Sequence, residues 1–409
     1  MSILYRLLTF LLTPLWLLYL LVRQRGQARL RERLGFLPVR QDSPIWIQGV
    51  SVGEIRIALK LASVLRERSL PVVLSSTTAA GLALAAREWP FGEPAAFPLD
   101  LASSTERALE RLKPRALVVV ETELWPVLFR KAVKEGIPVF VVNGRISDRS
   151  LKRVQRLKTL YAFALEGTRI AAQNEEHALR FITLGAKKHR TVVLGNLKYD
   201  LSPPSDFADT TAELSRFCSA TPLWTAGSVR EGEETAVIKA HERVREKIPA
   251  ARLILAPRHL SRSSLCLEAC RKAGFHAVAR SGEPETDWDV LILDTVGELW
   301  SAYSLCSAAF VGGSLVNMGG QNVLEPAFLE KPVLFGPSTE NFREDAERLL
   351  AAGGAVRVNN IAELGDEVSK FLADSERARL HGQRAAEAVS RYRGAVERTV
   401  SWIEKNLPG

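Results

Sequence analysis

At 409 residues with 46% apolar and 25% charged side chains, the chain is long enough to bury two cores, and two globular domains are expected rather than one. A net charge of +9 would suit nucleic acid, but the excess lies near the amino terminus, where Arg23, Arg25, Arg29, Arg31, Arg33 and Arg40 follow an apolar run. That pattern points away from nucleic acid and toward the anionic lipids of a membrane surface. Cys218, Cys266, Cys270 and Cys306 have neither the spacing of a disulfide framework nor that of a complete metal site, and Cys266 and Cys270 read as core residues one helical turn apart.

The apolar run, Leu7 to Val22, carries no charge and is bounded by Arg6 and Arg23, with Pro14 in its middle. It is slightly short of the roughly twenty residues of a bilayer span. The reading is a membrane anchor over residues 1–22, spanning or monotopic, ahead of a cleaved signal peptide, because no small-residue cleavage site follows. Arginines after the run would keep the remaining chain on the cytoplasmic side of an inner membrane.

Beyond the anchor, "IWIQ" reads as a strand, and Ile55, Ala58, Leu59 and Ala62 recur at helical spacing, so Glu54 of "SVGE" sits on the turn between them. "VVLSS" at Val72, "ALVVVE" at Ala116, "VFVVN" at Val139, "RIAAQ" at Arg169 and "TVVLGN" at Thr191 continue the alternation of short apolar runs with helical segments. This predicts a parallel sheet covered by helices, a Rossmann-like domain over residues 23–200. "DLSPPSDFADTT" then reads as a linker within 201–220. The rhythm restarts with "LWTAGS", "RLILAPRH", "DVLILD", "AAFVGGS" and "PVLFGP", predicting a second such domain over 221–374. Residues 375–409 are expected to be helical and to pack back on the first domain.

In open parallel sheets, ligands bind beyond the carboxyl ends of the strands. In the second domain those ends carry Gly312 and Gly313, then Gly319 and Gly320 ahead of a helix expected to open at Asn322. Glycine pairs let backbone approach a phosphate, and helix-start amides bind anions. Asn322 and Glu325 have capping-box spacing, while Glu325 could equally accept hydrogen bonds from ribose hydroxyls. Arg258 could clamp a phosphate or be a solvated arginine. "DWD" at Asp287 to Asp289 resembles a metal-carrying acidic pair but precedes its strand, so no metal is assigned.

The first domain's strand ends carry Ser51, Gly53 and Glu54, then Glu121 and Glu123, Asn143 and Arg145, and Asn196 and Lys198. At most one of Glu121 and Glu123 is expected to face a ligand while the other caps or pairs. There is no Gly-x-Ser-x-Gly elbow, P-loop or zinc-protease helix, and of the six histidines only His259 adjoins a candidate site.

Taken in order, "SVGE", "ETELWP", "NGRIS", "AAQNEEHALRFITLGA", "GNLKYD", "DTVGELW" and "FVGGSLVNMGGQNVLEPAFLEKPVLFGPSTENF" resemble the 3-deoxy-D-manno-octulosonic acid (Kdo) transferases of lipopolysaccharide assembly, from the apolar run to about Phe342. The resemblance implies a GT-B glycosyltransferase, two Rossmann-like domains facing a cleft, moving Kdo from CMP-Kdo to the lipid A precursor without metal or cofactor. It implies that Glu54 is the general base, with Ser51 and Gly53 on the acceptor side. Arg258, Ser228, Gly313, Met318, Gly319, Gly320, Asn322 and Glu325 would bind CMP, and Lys198, Asn196, Glu121, Glu123 and Arg145 the sugars. Two positions depart from the family pattern: Gln321 stands where His is common, and Val127 follows "ETELWP" where another residue is frequent.

Two influences on Glu54 compete. The positive end of its helix should depress its pKa, and burial under an acceptor should raise it. Another GT-B enzyme acting on a UDP-sugar, and a non-catalytic membrane-anchored sugar-binding protein, are the alternative readings.

Overall fold

A computed structural model describes residues 29–408 apart from 205, 219–221 and 284. The Leu7–Val22 run therefore lies outside the described residues. Among these, no helix is long and apolar enough to cross a membrane. The chain divides into two compact units: one ends at Leu201 and takes in the chain from Arg393 onward, and the other is Ser202–Tyr392.

Seven strands form the first unit's sheet: β1 (Ile45–Gly49), β2 (Val72–Ser76), β3 (Ala95–Ala96), β4 (Ala116–Val120), β5 (Val139–Gly144), β6 (Arg169–Ala172) and β7 (Thr191–Val193). All neighbours are parallel, in the order β3-β2-β1-β4-β5-β6-β7. β1, β2, β4 and β5 are buried at every residue, as strands covered on both faces must be, which explains why they read as unbroken apolar runs. On one face the helix Val52–Glu67 seats Ile55, Ala58, Leu59 and Ala62 in a core shared with Val396, Val400 and Ile403 of the helix Ala395–Lys405. Trp46 points to the opposite face, where it meets Phe97, Leu128 and Phe129. Asp200 holds the last helix in place by accepting hydrogen bonds from Gly394 N and Val396 N, both at 2.6 Å.

The second unit repeats the plan with β8 (Leu223–Val229), β9 (Arg252–Pro257), β10 (Ala277–Ala279), β11 (Val290–Ile292), β12 (Ala308–Val311), β13 (Val333–Phe335) and β14 (Ala355–Arg357). Their order is β10-β11-β9-β8-β12-β13-β14, again parallel throughout. The 201–220 segment, expected to be a linker, contains a helix, Phe207–Ser215. Leu214 and Phe217 bury against Leu223, Trp288 and Tyr303, and that burial organises a stretch whose prolines and small polar residues suggested a loop. The helix Ser375–Ser390 lies in this unit, so the two carboxy-terminal helices belong to different units.

The basic cluster behind the apolar run is not wholly a lipid-facing surface. Arg33 is 2% exposed, and its guanidinium donates to Phe97 O at 3.3 Å and Thr77 O at 2.6 Å. Arg40 is bound to Asp42 at 2.8 Å, and Arg29 to Glu32 at 3.0 Å. Arg33 closes the edge of the first sheet, because backbone carbonyls left at a strand edge need donors once water is excluded.

The strand order reverses between β1 and β4 in the first unit and between β8 and β12 in the second. Neighbouring connections there leave in opposite directions and open a crevice at the carboxyl ends.

Candidate functional site

In the first unit, the segments after β1 and β4 bring three carboxylates to the reversal point. Ser51 caps the helix Val52–Glu67, its Oγ accepting from Glu54 N at 3.2 Å and donating to Glu54 Oε1 at 2.8 Å, while Val50 N donates to Glu54 Oε2 at 2.8 Å. The arrangement is a variant of the capping box, in which the carboxylate reaches the amide before the cap residue and not that of Ser51 itself. Its carboxylate is nevertheless not an ordinary surface group. Burial, the largest influence, holds the Glu54 carboxyl above its usual range; the Val50 amide and Ser51 hydroxyl oppose this, and the charges of Glu121 and Glu123 add to it. The burial is the protein's own and acts in the upward direction before any acceptor is bound. A Cβ on Gly53 would meet only Ser51 Oγ, at 3.8 Å, so nothing in the fold itself demands glycine there.

Glu121 and Glu123 divide their roles. Lys198 Nζ lies 2.9 Å from Glu121 Oε1. The backbone of Glu121 is left-handed, with φ 64°, and its N–H donates to Val142 O at 2.8 Å. Such a conformation costs a residue with a side chain about 1 kcal/mol or more and tends to occur at functional sites. Glu123 has no such ion pair among the described residues, and burial followed by the charge of Glu121 raises its pKa. Asn143, fully buried at the end of β5, accepts from Leu197 N at 2.9 Å through Oδ1, and Asn196 Oδ1 accepts from Lys198 N at 3.0 Å. Together these bonds place Lys198 opposite Glu121. Arg145 follows β5, and its carbonyl accepts from Thr122 Oγ1.

In the second unit, Arg258 follows β9, is exposed, and donates its backbone N–H to Val229 O at 2.8 Å. Its guanidinium has no bonding partner among the described residues. Ser228 is left-handed at φ 54°, and a Cβ on Gly312 would lie 2.7 Å from Ser228 O, so only glycine lets the ends of β8 and β12 approach this closely. The helix expected at Asn322 starts at Leu324. Asn322 Oδ1 accepts from Leu324 N, and its Nδ2 donates to Glu325 Oε1, each at 3.2 Å. The capping bonds are thus real, and they leave the Glu325 carboxylate fixed at the loop's end.

The amides of the glycine pairs are taken up within the fold. Gly313 N donates to Glu233 Oε2, Gly319 N to Ser338 Oγ at 2.8 Å, and Gly320 N to Gly313 O at 2.8 Å. The amides of Gln321, Asn322 and Val323 donate to no group among the described residues. Gln321 lies against Gly313, where a Cβ would be 3.2 Å from its Nε2.

Two residues at this site escape a reading of the sequence. Arg230, after β8, sets Nη1 3.1 Å from His259 Nε2 and Nη2 3.9 Å from Met318 Sδ, which joins His259 to the glycine loop. Glu233 is completely buried. "REGE" follows the first strand of the second unit as "SVGE" follows that of the first, each with glycine before the glutamate; that parallel is the signal that could have found it. Asp289 of "DWD" is held by Arg245 and by His276 N, the latter at 2.8 Å. No cluster of three or more His, Cys, Asp or Glu able to hold a metal occurs among the described residues. Cys266 and Cys270 are buried in the core.

The comparisons with known proteins bear on this arrangement. The family described as 3-deoxy-D-manno-octulosonic-acid transferase (kdotransferase) matches residues 28–201. A 3-deoxy-D-manno-octulosonic acid transferase of Haemophilus influenzae is 32% identical over 398 residues, covering 94% of this chain and 93% of that protein. The chain belongs to the 3-deoxy-D-manno-octulosonic acid transferase family. Its Bordetella pertussis relative is 34% identical, over 90% of this chain and 88% of its own. Among solved structures, UDP-GlcNAc 2-epimerase from Neisseria meningitidis superimposes with a TM-score of 0.63 at 13% identity, covering 89% of this chain and all of that one. At that identity the likeness concerns the fold alone, a two-sheet α/β architecture that this family shares.

Proposed function

We propose that the chain is an inverting glycosyltransferase that moves Kdo from CMP-Kdo to the lipid A precursor, with Glu54 as general base. The observation that carries the reading is a partly buried carboxylate of raised pKa at the first sheet's reversal point, beside two further glutamates. Membership of the Kdo transferase family, through relatives matched over nearly their whole length, supports the substrate class.

In the proposed reaction, Glu54 accepts the proton of the acceptor hydroxyl as its oxygen bonds to the anomeric carbon of Kdo. The bond from that carbon to the phosphate oxygen breaks on the opposite face, and CMP leaves with the electron pair. A general base in hydrogen-bond reach contributes about a hundredfold to ten-thousandfold. Beyond its chain neighbours and its own helix backbone, a Cβ on Gly53 would meet only Ser51 Oγ, which leaves room for a hydroxyl beside the group that holds the carboxylate. On the donor side, Arg258 and the Arg230–His259 pair place positive charge where negative charge grows on the leaving phosphate, which is the largest kind of catalytic term available to such a site. Glu325 accepts from the ribose hydroxyls, and Lys198, with Asn196 and Arg145, addresses the sugar carboxylate. Residues 1–22 hold the enzyme at the cytoplasmic face of the inner membrane, where the lipid acceptor is found.

The test is to incubate purified full-length protein with CMP-Kdo and a lipid A precursor in vesicles, with UDP-sugars in parallel. Transfer is expected from CMP-Kdo only. Turnover of a UDP-sugar instead, or of no donor while CMP still binds, would replace this reading with one of its two rivals.

A further inference from the structure

Glycine-rich turns at strand ends commonly hold the phosphate of a nucleotide, and the loop after β12 has the sequence of one. Its first turn is already occupied by an anion from the protein itself. Glu233 Oε1 accepts from Ser314 N at 2.9 Å and Leu315 N at 2.8 Å; its Oε2 accepts from Arg230 N at 3.0 Å and from Gly313 N. A carboxylate offers about four lone-pair sites, and here all four meet backbone N–H groups.

We infer that Glu233 is a positioning residue for the donor: it fills the anion nest of the Gly312–Leu315 turn so that this turn is a pre-formed support, not a phosphate site. The inference rests on the donor reading above. The support is transmitted through named bonds. Gly313 O accepts from Gly320 N, and Ser314 O from Ser338 N at 2.9 Å; Ser338 Oγ in turn accepts from Gly319 N. Glu233 thus fixes both the segment bearing Arg230 and, two bonds away, the segment leading to Asn322 and Glu325. Donor phosphate must then be met by side chains at the rim, such as Arg258 and Arg230. Preorganisation of this kind lowers the ordering cost of binding.

Glu233→Gln is informative because the amide keeps the size but turns one oxygen into a donor, setting N–H against N–H on one side of the nest. CMP affinity measured by calorimetry should fall tenfold or more. In steady-state assays the KM for CMP-Kdo should rise while the KM for the lipid acceptor stays unchanged, a split that general destabilisation would not give. Arg258→Ala and Glu325→Ala are run alongside: if neither weakens CMP, the donor reading itself fails, whereas weakening in both with normal affinity in Glu233→Gln overturns only the role of Glu233. Hydrogen exchange on the unaltered protein gives a second test that needs no variant. Without CMP the amides of Gly313, Ser314 and Leu315 should already be protected, and added CMP should slow exchange chiefly at residues 321–325. Rapid exchange at 313–315 that CMP abolishes would show the nest to be a phosphate site and overturn the inference.

Discussion

Lys198 and Glu121 face each other at 2.9 Å, Nζ to Oε1, so that one of the two acidic residues of "ETELWP" is neutralised while Glu54 beside it is not. The pair sets how much negative charge Glu54 experiences. The Glu121 charge already raises the Glu54 pKa with its counter-ion in place, and removal of either partner should move it in opposite directions. Glu121→Gln should shift the acidic limb of the kcat/KM profile to lower pH, and Lys198→Met should shift it to higher pH. Rates will fall in both variants if these side chains touch the sugar, but the limb position is independent of that loss. Shifts of the same sign in the two variants would contradict the coupling.

Glu54→Gln separates the catalytic role from the cap. Glutamine can still accept from Val50 N, and the Ser51 hydroxyl can rotate to accept from the new amide, so the helix start survives. Turnover should fall by about two to four orders of magnitude while CMP affinity holds. The sign of the pH effect on stability also follows. A carboxyl with a raised folded pKa binds its proton more tightly in the folded state, so it favours folding most below its unfolded value of about 4.3 and progressively less as pH climbs through the folded one. Melting curves at acid and at neutral pH should therefore converge in Glu54→Gln relative to the parent. Near-normal transfer by this variant would assign the base elsewhere.

Much of the fold was readable because parallel strands buried on both faces leave continuous apolar runs, as in Ala116–Val120 and Val139–Gly144. β3, β10 and β14 were not found, since AA, AVA and AVR hold at most one large apolar residue each, whereas equally short strands such as Val290–Ile292 and Val333–Phe335 are apolar throughout. Glu54 could be singled out from "SVGE" because its chemistry is local to one turn. Glu233 was harder to single out, because "REGEE" reads as a solvated charge run unless its parallel with "SVGE" is noticed, and the loop at Gly313 closes over it from the far side of the sequence. The arginines misled for the same reason: Arg33 is a basic residue by composition, and only the distant carbonyls of Thr77 and Phe97 make it an interior one.

Arg33 accordingly offers a test of the amino-terminal region. Arg33→Ala leaves two buried carbonyls without their charged donor and opens the space its stem filled, which should cost about 2–3 kcal/mol in the first unit's stability. Binding of the full-length protein to anionic vesicles should be unchanged. A variant that melts normally but leaves the vesicles would return Arg33 to the membrane surface.

Gly53 gives the last prediction, in which stability and activity are expected to move in opposite directions. Its φ lies outside the left-handed region, and an added methyl group would touch only Ser51 Oγ at 3.8 Å. Gly53→Ala should therefore fold at least as stably as the parent, with a gain of about 0.5–1 kcal/mol from the lower entropy of the unfolded chain. The methyl group would stand beside Ser51 Oγ, which holds the Glu54 carboxylate, and on the proposed reading the acceptor hydroxyl has to arrive near there. Transfer should fall through a higher KM for the lipid acceptor and a lower kcat, with CMP affinity intact. A variant more stable and equally active would show that the acceptor approaches Glu54 from another side, and Glu54 would then need a different partner for its proton.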